Sequence, residues 1–193
     1  MHGPLREIPA DALVDYLLDA TLLVGDVHDL KHFVPRLLAD VALDRADDVA
    51  LYLSRFRYLD WRAWPDDERA VVTATLDVAW QRALATWEPL SRVEEVLCGV
   101  GCVLGDLAPL LGAWGRRTDP AALAALAQVV LANAAALREG GELGDPWWEP
   151  EPMAQVVAWL HDPARRAQLA SYEPCGDERD AAVAAAASVL AGR

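Results

Sequence analysis

The sequence predicts an all-α protein that forms a single domain over residues 1–193. Alanine, leucine and valine dominate a hydrophobic fraction of 54%, and this composition favours helices. No segment of strand length alternates cleanly between apolar and polar residues. Apolar residues instead recur at helical spacing behind proline and aspartate start signals. We therefore expect about nine helices arranged in antiparallel hairpins.

Three helices are expected in the first 56 residues. Their start signals are Pro9 with Asp11 for the first helix, Asp26 for the second, and Asp47 with Asp48 for the third. Aspartate suits these positions because the start of a helix carries partial positive charge. Gly25 ends the first helix. Pro35 is expected to divide the second helix, because proline lacks a backbone N–H and clashes with the preceding turn.

The corner segment Leu59–Glu68 (LDWRAWPDDE) contains two tryptophans and a helix start. Pro65 at the first helical position, followed by three acidic residues, predicts the start of the longest helix, which ends near Trp87. We interpret Trp61, Trp64 and Pro65 as structural anchors that fix the angle between consecutive helices. The alternative is a ligand contact, since indole faces bind cations.

The second half of the chain contains a repeated start signal. Ser91 and Glu94 form a capping box that opens a central helix. The later helices are expected to begin at Asp119-Pro120, near Met153, at Asp162-Pro163 and at Asp177. The two Asp-Pro starts lie 43 residues apart, within the range of paired-helix repeats. An irregular helical bundle and a short HEAT-like helix-pair array both remain open.

Two surfaces are candidates for contact with a partner. Trp147 and Trp148 lie in the irregular stretch 142–152, where they either cover one end of the core or present a binding edge. Asp11, Asp15 and Asp19 recur every fourth residue on the first helix. This acidic stripe forms either a solvated face or a partner-binding surface.

Asp26, His28, Asp29 and His32 are weak candidates for a metal site. Residues four apart share a helical face, and imidazole with carboxylate suits zinc or iron. The set is incomplete, because no Glu-x-x-His or His-Glu-x-x-His pair accompanies it. A solvated helix face is the competing interpretation.

No catalytic constellation is visible. Cys98 and Cys102 lie among valines on the central helix, where free cysteine behaves as a small apolar residue. Cys175 lacks an evident base, and no G-x-S-x-G motif occurs. The three glycines within residues 99–105 depart from the dinucleotide pattern and instead indicate the close approach of another helix. We expect no cofactor, and a protein that is not an enzyme.

Charge and cysteine content restrict the partners and the compartment. Thirty acidic against 17 basic residues give a net charge of −13, which opposes nucleic acid and allows a basic protein partner. Three cysteines are too few for a secreted disulfide framework, which favours the cytoplasm. The uncharged stretch 120–137 contains Gln128 and Asn133, and we expect a buried helix there, not a membrane span.

Two motifs carry a resemblance to a known family. They are Gly25–Leu38 (GDVHDLKHFVPRLL) and Asp60–Pro65 (DWRAWP), the second followed by the long helix. Together they resemble a family of bacterial all-helical proteins with the patterns GDVxDLxHFxPRLL and DWRxWP, for which no activity is established. The likeness covers most of the chain. It implies the helical fold and supplies no functional site.

Our leading hypothesis is a non-enzymatic cytoplasmic protein-interaction module with an acidic surface. A narrower version is an immunity-like protein that masks a basic toxin. The alternative is a ligand-binding or metal-binding helical protein, or an enzyme, with its site near His28 and His32.

Overall fold

The computed structural model describes residues 8–9, 12–17, 27–87 and 92–192, and for residues 27–29 it describes the backbone alone. Within these ranges the chain forms eleven α-helices and no strand, which confirms the predicted all-α class. Helix α1 comprises residues 12–17. The other helices are α2 (Val27–Ala42), α3 (Val49–Ser54), α4 (Asp66–Ala85), α5 (Arg92–Leu104), α6 (Ala108–Trp114), α7 (Pro120–Ala132), α8 (Ala134–Glu139), α9 (Pro150–His161), α10 (Pro163–Ala170) and α11 (Glu178–Leu190).

Helices α5 and α7 lie at the centre of the packing. Helix α5 packs most extensively against α3, and α7 against α11. Helix α4 contacts α2, α5 and α7. In a repeat array each helix pair would contact only its neighbours along the chain. The contacts of α4 with α7 and of α7 with α11 join distant segments, so the described helices form an irregular bundle.

The contact between α3 and α5 depends on a glycine. A Cβ atom at Gly99 would lie 2.9 Å from Leu53 Cδ1 and 3.1 Å from the Val49 carbonyl oxygen. At Gly101 it would lie 2.9 Å from Cβ of Pro152. The expected close approach of other chain segments to the glycines of residues 99–105 is confirmed at these two positions.

Helix α2 is continuous, so the predicted break at Pro35 is wrong. Proline removes one hydrogen bond, but the helix runs from Val27 to Ala42 with Pro35 inside it. The exposed Pro35 leaves the opposite face intact, and that face is buried on both sides of it, at Leu30, Val34, Leu37, Leu38 and Val41. Tertiary packing of this face outweighs the local cost of the proline.

The alanine-rich stretch is divided at Asn133 into α7 and α8, where the sequence predicted one helix. The Asn133 amide nitrogen donates to the Val129 carbonyl oxygen at 3.0 Å, and its side-chain oxygen accepts from the Gly144 N–H at 2.9 Å. This side chain therefore fastens the following loop to the end of α7. No helix within the described ranges is long and apolar enough to cross a membrane.

The corner between α3 and α4 caps the C-terminal end of α5. Trp61 is buried, and its indole N–H donates to the Val103 carbonyl oxygen at 3.3 Å. The Arg62 guanidinium donates to the carbonyl oxygens of Val103 and Leu104 at 3.0 and 2.7 Å. The last carbonyls of a helix carry partial negative charge and lack partners within the helix. Trp61 and Arg62 supply those partners from the corner.

Three tryptophans, Trp80, Trp114 and Trp159, form an aromatic cluster within the bundle. Trp114 stacks on Trp159 with ring centroids 4.8 Å apart and contacts Trp80 edge-on at 5.1 Å. Trp80 and Trp114 are both buried. Trp87 is half-buried, because it lies beyond the end of α4 and its indole N–H donates to a Glu178 carboxyl oxygen.

Candidate functional site

The histidine cluster proposed as a metal site lies mostly outside the described side chains. Asp26 is outside the described residues, and His28 and Asp29 are described by their backbone alone. The His32 side chain is exposed, and its ring contacts Phe33 edge-on at 5.5 Å between centroids. A metal site at these four residues stays a prediction.

A cluster of possible metal ligands among the described residues is Cys175, Asp177 and Asp180. These groups already have partners within the chain. Asp177 accepts from the Arg179 N–H as the N-cap of α11, and Asp180 accepts from Tyr172 and from the Gly176 N–H. The arrangement is explained by helix capping in an exposed loop.

The acidic stripe is described at one position. Asp15 is exposed, whereas Asp11 and Asp19 lie outside the described residues. The partner-binding role of the stripe stays a prediction.

Trp147 and Trp148 fasten the loop 143–149 to the bundle. The Trp147 indole N–H donates to an Asp48 carboxylate oxygen at 3.2 Å, and the Arg55 guanidinium lies 5.0 Å from the Trp147 ring centroid. The Trp148 ring packs on Gly101. A Cβ atom built at Gly101 would lie 3.3 Å from this ring. Both side chains are half-buried and have contacts within the chain. Contact of either residue with a partner stays a prediction.

Beneath this loop lies a group of ionisable side chains that we call the buried polar centre: Glu94, Cys98, Cys102 and Asp145. The first three follow one another at intervals of four on α5. The Cys98 thiol lies 3.5 Å from the Asp145 carboxyl, and the Cys102 thiol donates to the Trp147 carbonyl oxygen at 3.2 Å. These contacts hold the loop against α5.

The environment of the buried polar centre disfavours charge at Glu94, Cys98 and Asp145. Glu94 is 6% exposed, and burial raises the pKa of its carboxyl group. Burial also raises the pKa of Asp145. The neighbouring Cys102 thiol and burial raise the pKa of Cys98, whereas the neighbouring Cys98 thiol lowers the pKa of Cys102. The contacts of Cys98 with Asp145 and of Cys102 with the Trp147 carbonyl give these groups a structural role in holding the loop.

Sequence patterns alone did not identify the buried polar centre. Glu94 was interpreted as the partner of Ser91 in a capping box, and Ser91 lies outside the described residues. The spacing of Glu94, Cys98 and Cys102 does place all three on one helical face. The contribution of Asp145 could not be anticipated, because it arrives from a loop 47 residues after Cys98.

An apolar groove lies between α2 and α4, with a volume of about 230 Å³. Its walls are mainly aliphatic and aromatic carbon, contributed by Val34, Pro35, Leu38, Trp64, Val71 and Val72. At one end the Lys31 ammonium lies 4.3 Å from the Trp64 ring centroid and 2.7 Å from a Glu68 carboxylate oxygen. The groove therefore has apolar walls and, at one end, an ion pair in which Glu68 neutralises Lys31.

The apolar surface continues along α4 beyond the groove. Val71 and Val78 lie seven residues apart, two turns along the same face, and are 59% and 52% exposed. Leu43, which follows the end of α2, is 50% exposed. Arg82 joins the two helices there by donating to the Ala42 carbonyl oxygen at 2.7 Å. We use the name α2–α4 groove for the residues that line the groove together with the exposed Val78 and Leu43 on the same two helices and their ends.

Sequence reasoning did not find this surface. The structure places Trp64 in the lining of the groove, and its role as a structural anchor at the corner stays a prediction. The available signal was α4 itself, which carries valines on its solvent-facing side as well as a buried apolar face. Helices that are apolar on more than one side are usually covered on more than one side.

Comparison of the chain with protein-family models, with curated proteins and with solved structures gave no match.

Proposed function

We propose that this protein is a non-enzymatic, cytoplasmic interaction module that binds an apolar segment of a basic protein in the α2–α4 groove. The observation that carries the proposal is the exposure of Val71 and Val78 beside a groove with apolar walls. An amphipathic helix that inserts apolar side chains at intervals of three and four residues matches such a surface.

The energetics of the surface support binding. Covering a valine that is more than half exposed contributes about 1 kcal/mol, so Val71 and Val78 together favour a partner by roughly 2 kcal/mol before entropic costs. The side chains of the groove are held in place, since Trp64 also lies 6.4 Å from Phe56 and contacts Lys31. A surface fixed in advance loses little conformational entropy on binding.

Charge indicates what kind of partner the groove fits. Lys31 is neutralised by Glu68 and Asp66 forms an ion pair with Arg69, while Asp67 in the same turn of α4 is exposed. The whole chain carries a net charge of −13. A basic partner is attracted by this field, whereas nucleic acid is repelled. A basic toxin is one partner of this kind, and the genes beside that of this protein are the place to look for it.

The cytoplasmic location is part of the same proposal. Cys98, Cys102 and Cys175 are all free thiols. Free thiols persist in a reducing compartment.

Capture from the cells that make this protein tests the proposal. The full chain and the variants Val71→Asp and Val78→Asp are immobilised at low salt, and captured proteins are quantified by mass spectrometry. Ala184→Asp, on the exposed side of α11, is the matched control because it adds the same charge to another helix. We expect a basic protein to be retained by the wild type and the control. Each groove variant should lose most of it, roughly tenfold, because the carboxylate is desolvated on binding.

Two outcomes contradict the proposal. One is that no basic protein is retained above background by the wild-type chain. The other is that the two groove variants retain the same proteins as Ala184→Asp.

A further inference from the structure

Two cysteines of the buried polar centre form a pair of neighbouring thiols. Cys98 and Cys102 lie four residues apart on α5, about one turn along the same helical face. Each thiol shifts the pKa of the other, which indicates that the two sulfur atoms lie close together. Both are free thiols, and Cys98 is buried whereas Cys102 is half-buried. The pair is therefore reachable from solvent at Cys102.

The helix holds these cysteines too far apart for a disulfide bond. Residues four apart on a helix have Cβ atoms about 5–6 Å apart, whereas a disulfide needs about 3.5–4.5 Å. A metal–thiolate bond is about 2.3 Å long for zinc, so one ion can join sulfur atoms that lie roughly 4–5 Å apart. An intact α5 therefore favours a bridging ion over oxidation to a disulfide.

The loop over α5 holds both thiols in place. The Cys98 sulfur lies 3.5 Å from an Asp145 carboxyl oxygen, and the Cys102 thiol donates to the Trp147 carbonyl oxygen at 3.2 Å. Asp145 in turn accepts from the Trp147 backbone N–H at 2.9 Å, which fixes the loop itself. Ligands that are fixed in advance lose little conformational entropy when an ion binds.

The number of ligands indicates which ion the pair fits. Thiolates are soft ligands that select Cu⁺ and Zn²⁺. Structural zinc sites use four ligands. Within the part of the chain that the structure describes, a compact set of three ligand atoms occurs at Cys175, Asp177 and Asp180 and not at the buried pair. Two thiolates match Cu⁺, which forms stable two-coordinate complexes with sulfur.

A buried cation lies at the same loop. Arg55 is 3% exposed, and its guanidinium lies 5.0 Å from the Trp147 ring centroid. Its Nε has no hydrogen-bond partner among the described residues. When Cu⁺ replaces the two thiol protons, both protons leave to solvent and the complex carries one negative charge. The positive charge of Arg55 offsets this negative charge beneath the loop.

We propose that Cys98 and Cys102 bind one Cu⁺ ion as a two-coordinate bis-thiolate site beneath the loop 143–149. Neither cysteine lines the α2–α4 groove. The copper site is therefore independent of the proposed partner binding, and either proposal can fail without the other.

Anaerobic titration of the reduced full chain with Cu⁺, in competition with a chromogenic Cu⁺ chelator, tests this proposal. We expect the chain to take one equivalent of Cu⁺ from the chelator. X-ray absorption at the copper edge should then show two sulfur ligands. Zn²⁺, titrated in parallel against a zinc chelator, should bind at least about tenfold more weakly, because the pair supplies only two of the four ligands that zinc prefers.

Variants assign the copper to this pair. Cys102→Ser should weaken Cu⁺ binding at least about a hundredfold, because one of the two soft ligands is lost. Cys175→Ser is the matched control, since it removes an exposed thiol away from α5, and it should leave the affinity unchanged. Circular dichroism checks that each variant is folded. The ligand count by X-ray absorption is made on the wild type and does not depend on any variant.

Four results would each overturn the proposal. The first is that the chain takes no Cu⁺ from the chelator. The second is an absorption spectrum that shows fewer than two sulfur ligands. The third is equal weakening of Cu⁺ binding by Cys102→Ser and Cys175→Ser, which would place the ion elsewhere. The fourth is tighter binding of Zn²⁺ than of Cu⁺, which would contradict a two-coordinate site.

Discussion

Replacing Gly99 with alanine tests whether α3 lies directly on the backbone of α5. The added Cβ would lie 2.9 Å from Leu53 Cδ1 and 3.1 Å from the Val49 carbonyl oxygen. The leucine methyl can move by rotation, but the carbonyl oxygen belongs to α3, so the helix itself must shift. Overpacking a filled core costs about 1–3 kcal/mol, and the better helix propensity of alanine offsets up to about 1 kcal/mol. We expect the free energy of unfolding to fall by about 1–2 kcal/mol.

Gly112→Ala is the matched control for this substitution. Gly112 lies in α6, and the nearest atom to its added Cβ is Arg116 Nη1 at 3.7 Å, an ordinary contact. The control should raise the free energy of unfolding by roughly 0.5–1 kcal/mol. Urea denaturation followed by circular dichroism measures both changes. A Gly99→Ala variant as stable as wild type would refute the packing of α3 on α5 described above.

Two further predictions concern the buried polar centre. Burial raises the pKa of Glu94, so the folded chain binds this proton more tightly than the unfolded chain. The stability contributed by protonation is full below the ordinary pKa of 4.5 and is lost as the pH rises through the folded-state pKa. Urea denaturation over a pH series should show that the free energy of unfolding of the wild type falls as the pH rises. The fall should be smaller in Glu94→Gln, where Asp145 still titrates. Equal falls in the two proteins would contradict the burial of the Glu94 carboxyl. A thiol reagent added to the folded protein should react first with the exposed Cys175 and with Cys98 only on unfolding, because Cys98 is buried. Mass spectrometry measures the rate at which each thiol reacts. Equal rates for Cys98 and Cys175 would show that the loop does not cover α5.

Helix starts were predictable from the sequence because they depend on local chemistry. The Asp119 and Asp162 side chains do accept backbone N–H groups at the starts of α7 and α10. The end of α7 was not predictable in this way. The Asn133 side chain both turns the chain and accepts from Gly144, and that second contact depends on where the loop returns. Pro35 is the opposite case, in which tertiary packing overrides a local signal.

The candidate sites were less predictable than the fold. The α2–α4 groove depends on the relative placement of Trp64 and Val71 against α2, and helical spacing alone does not specify which helices become neighbours. The cleft where α8, α9, α10 and α11 meet is lined by Arg138, His161 and Arg166, which are distributed over three helices. Sequence patterns reveal sites whose residues share one helix face. These sites are assembled from several helices, and the packing of those helices brings the side chains together.

Methyl and indole NMR of the chain with its captured partner tests the central claim most directly. The methyl signals of Leu43, Val71 and Val78 report on the α2–α4 groove, and the indole N–H signals of Trp147 and Trp148 report on the loop over α5. The account predicts that the partner shifts the three methyl signals and leaves the two indole signals in place. Shifts confined to the indole signals, with unchanged methyl signals, would contradict it and would move the interaction surface to the loop.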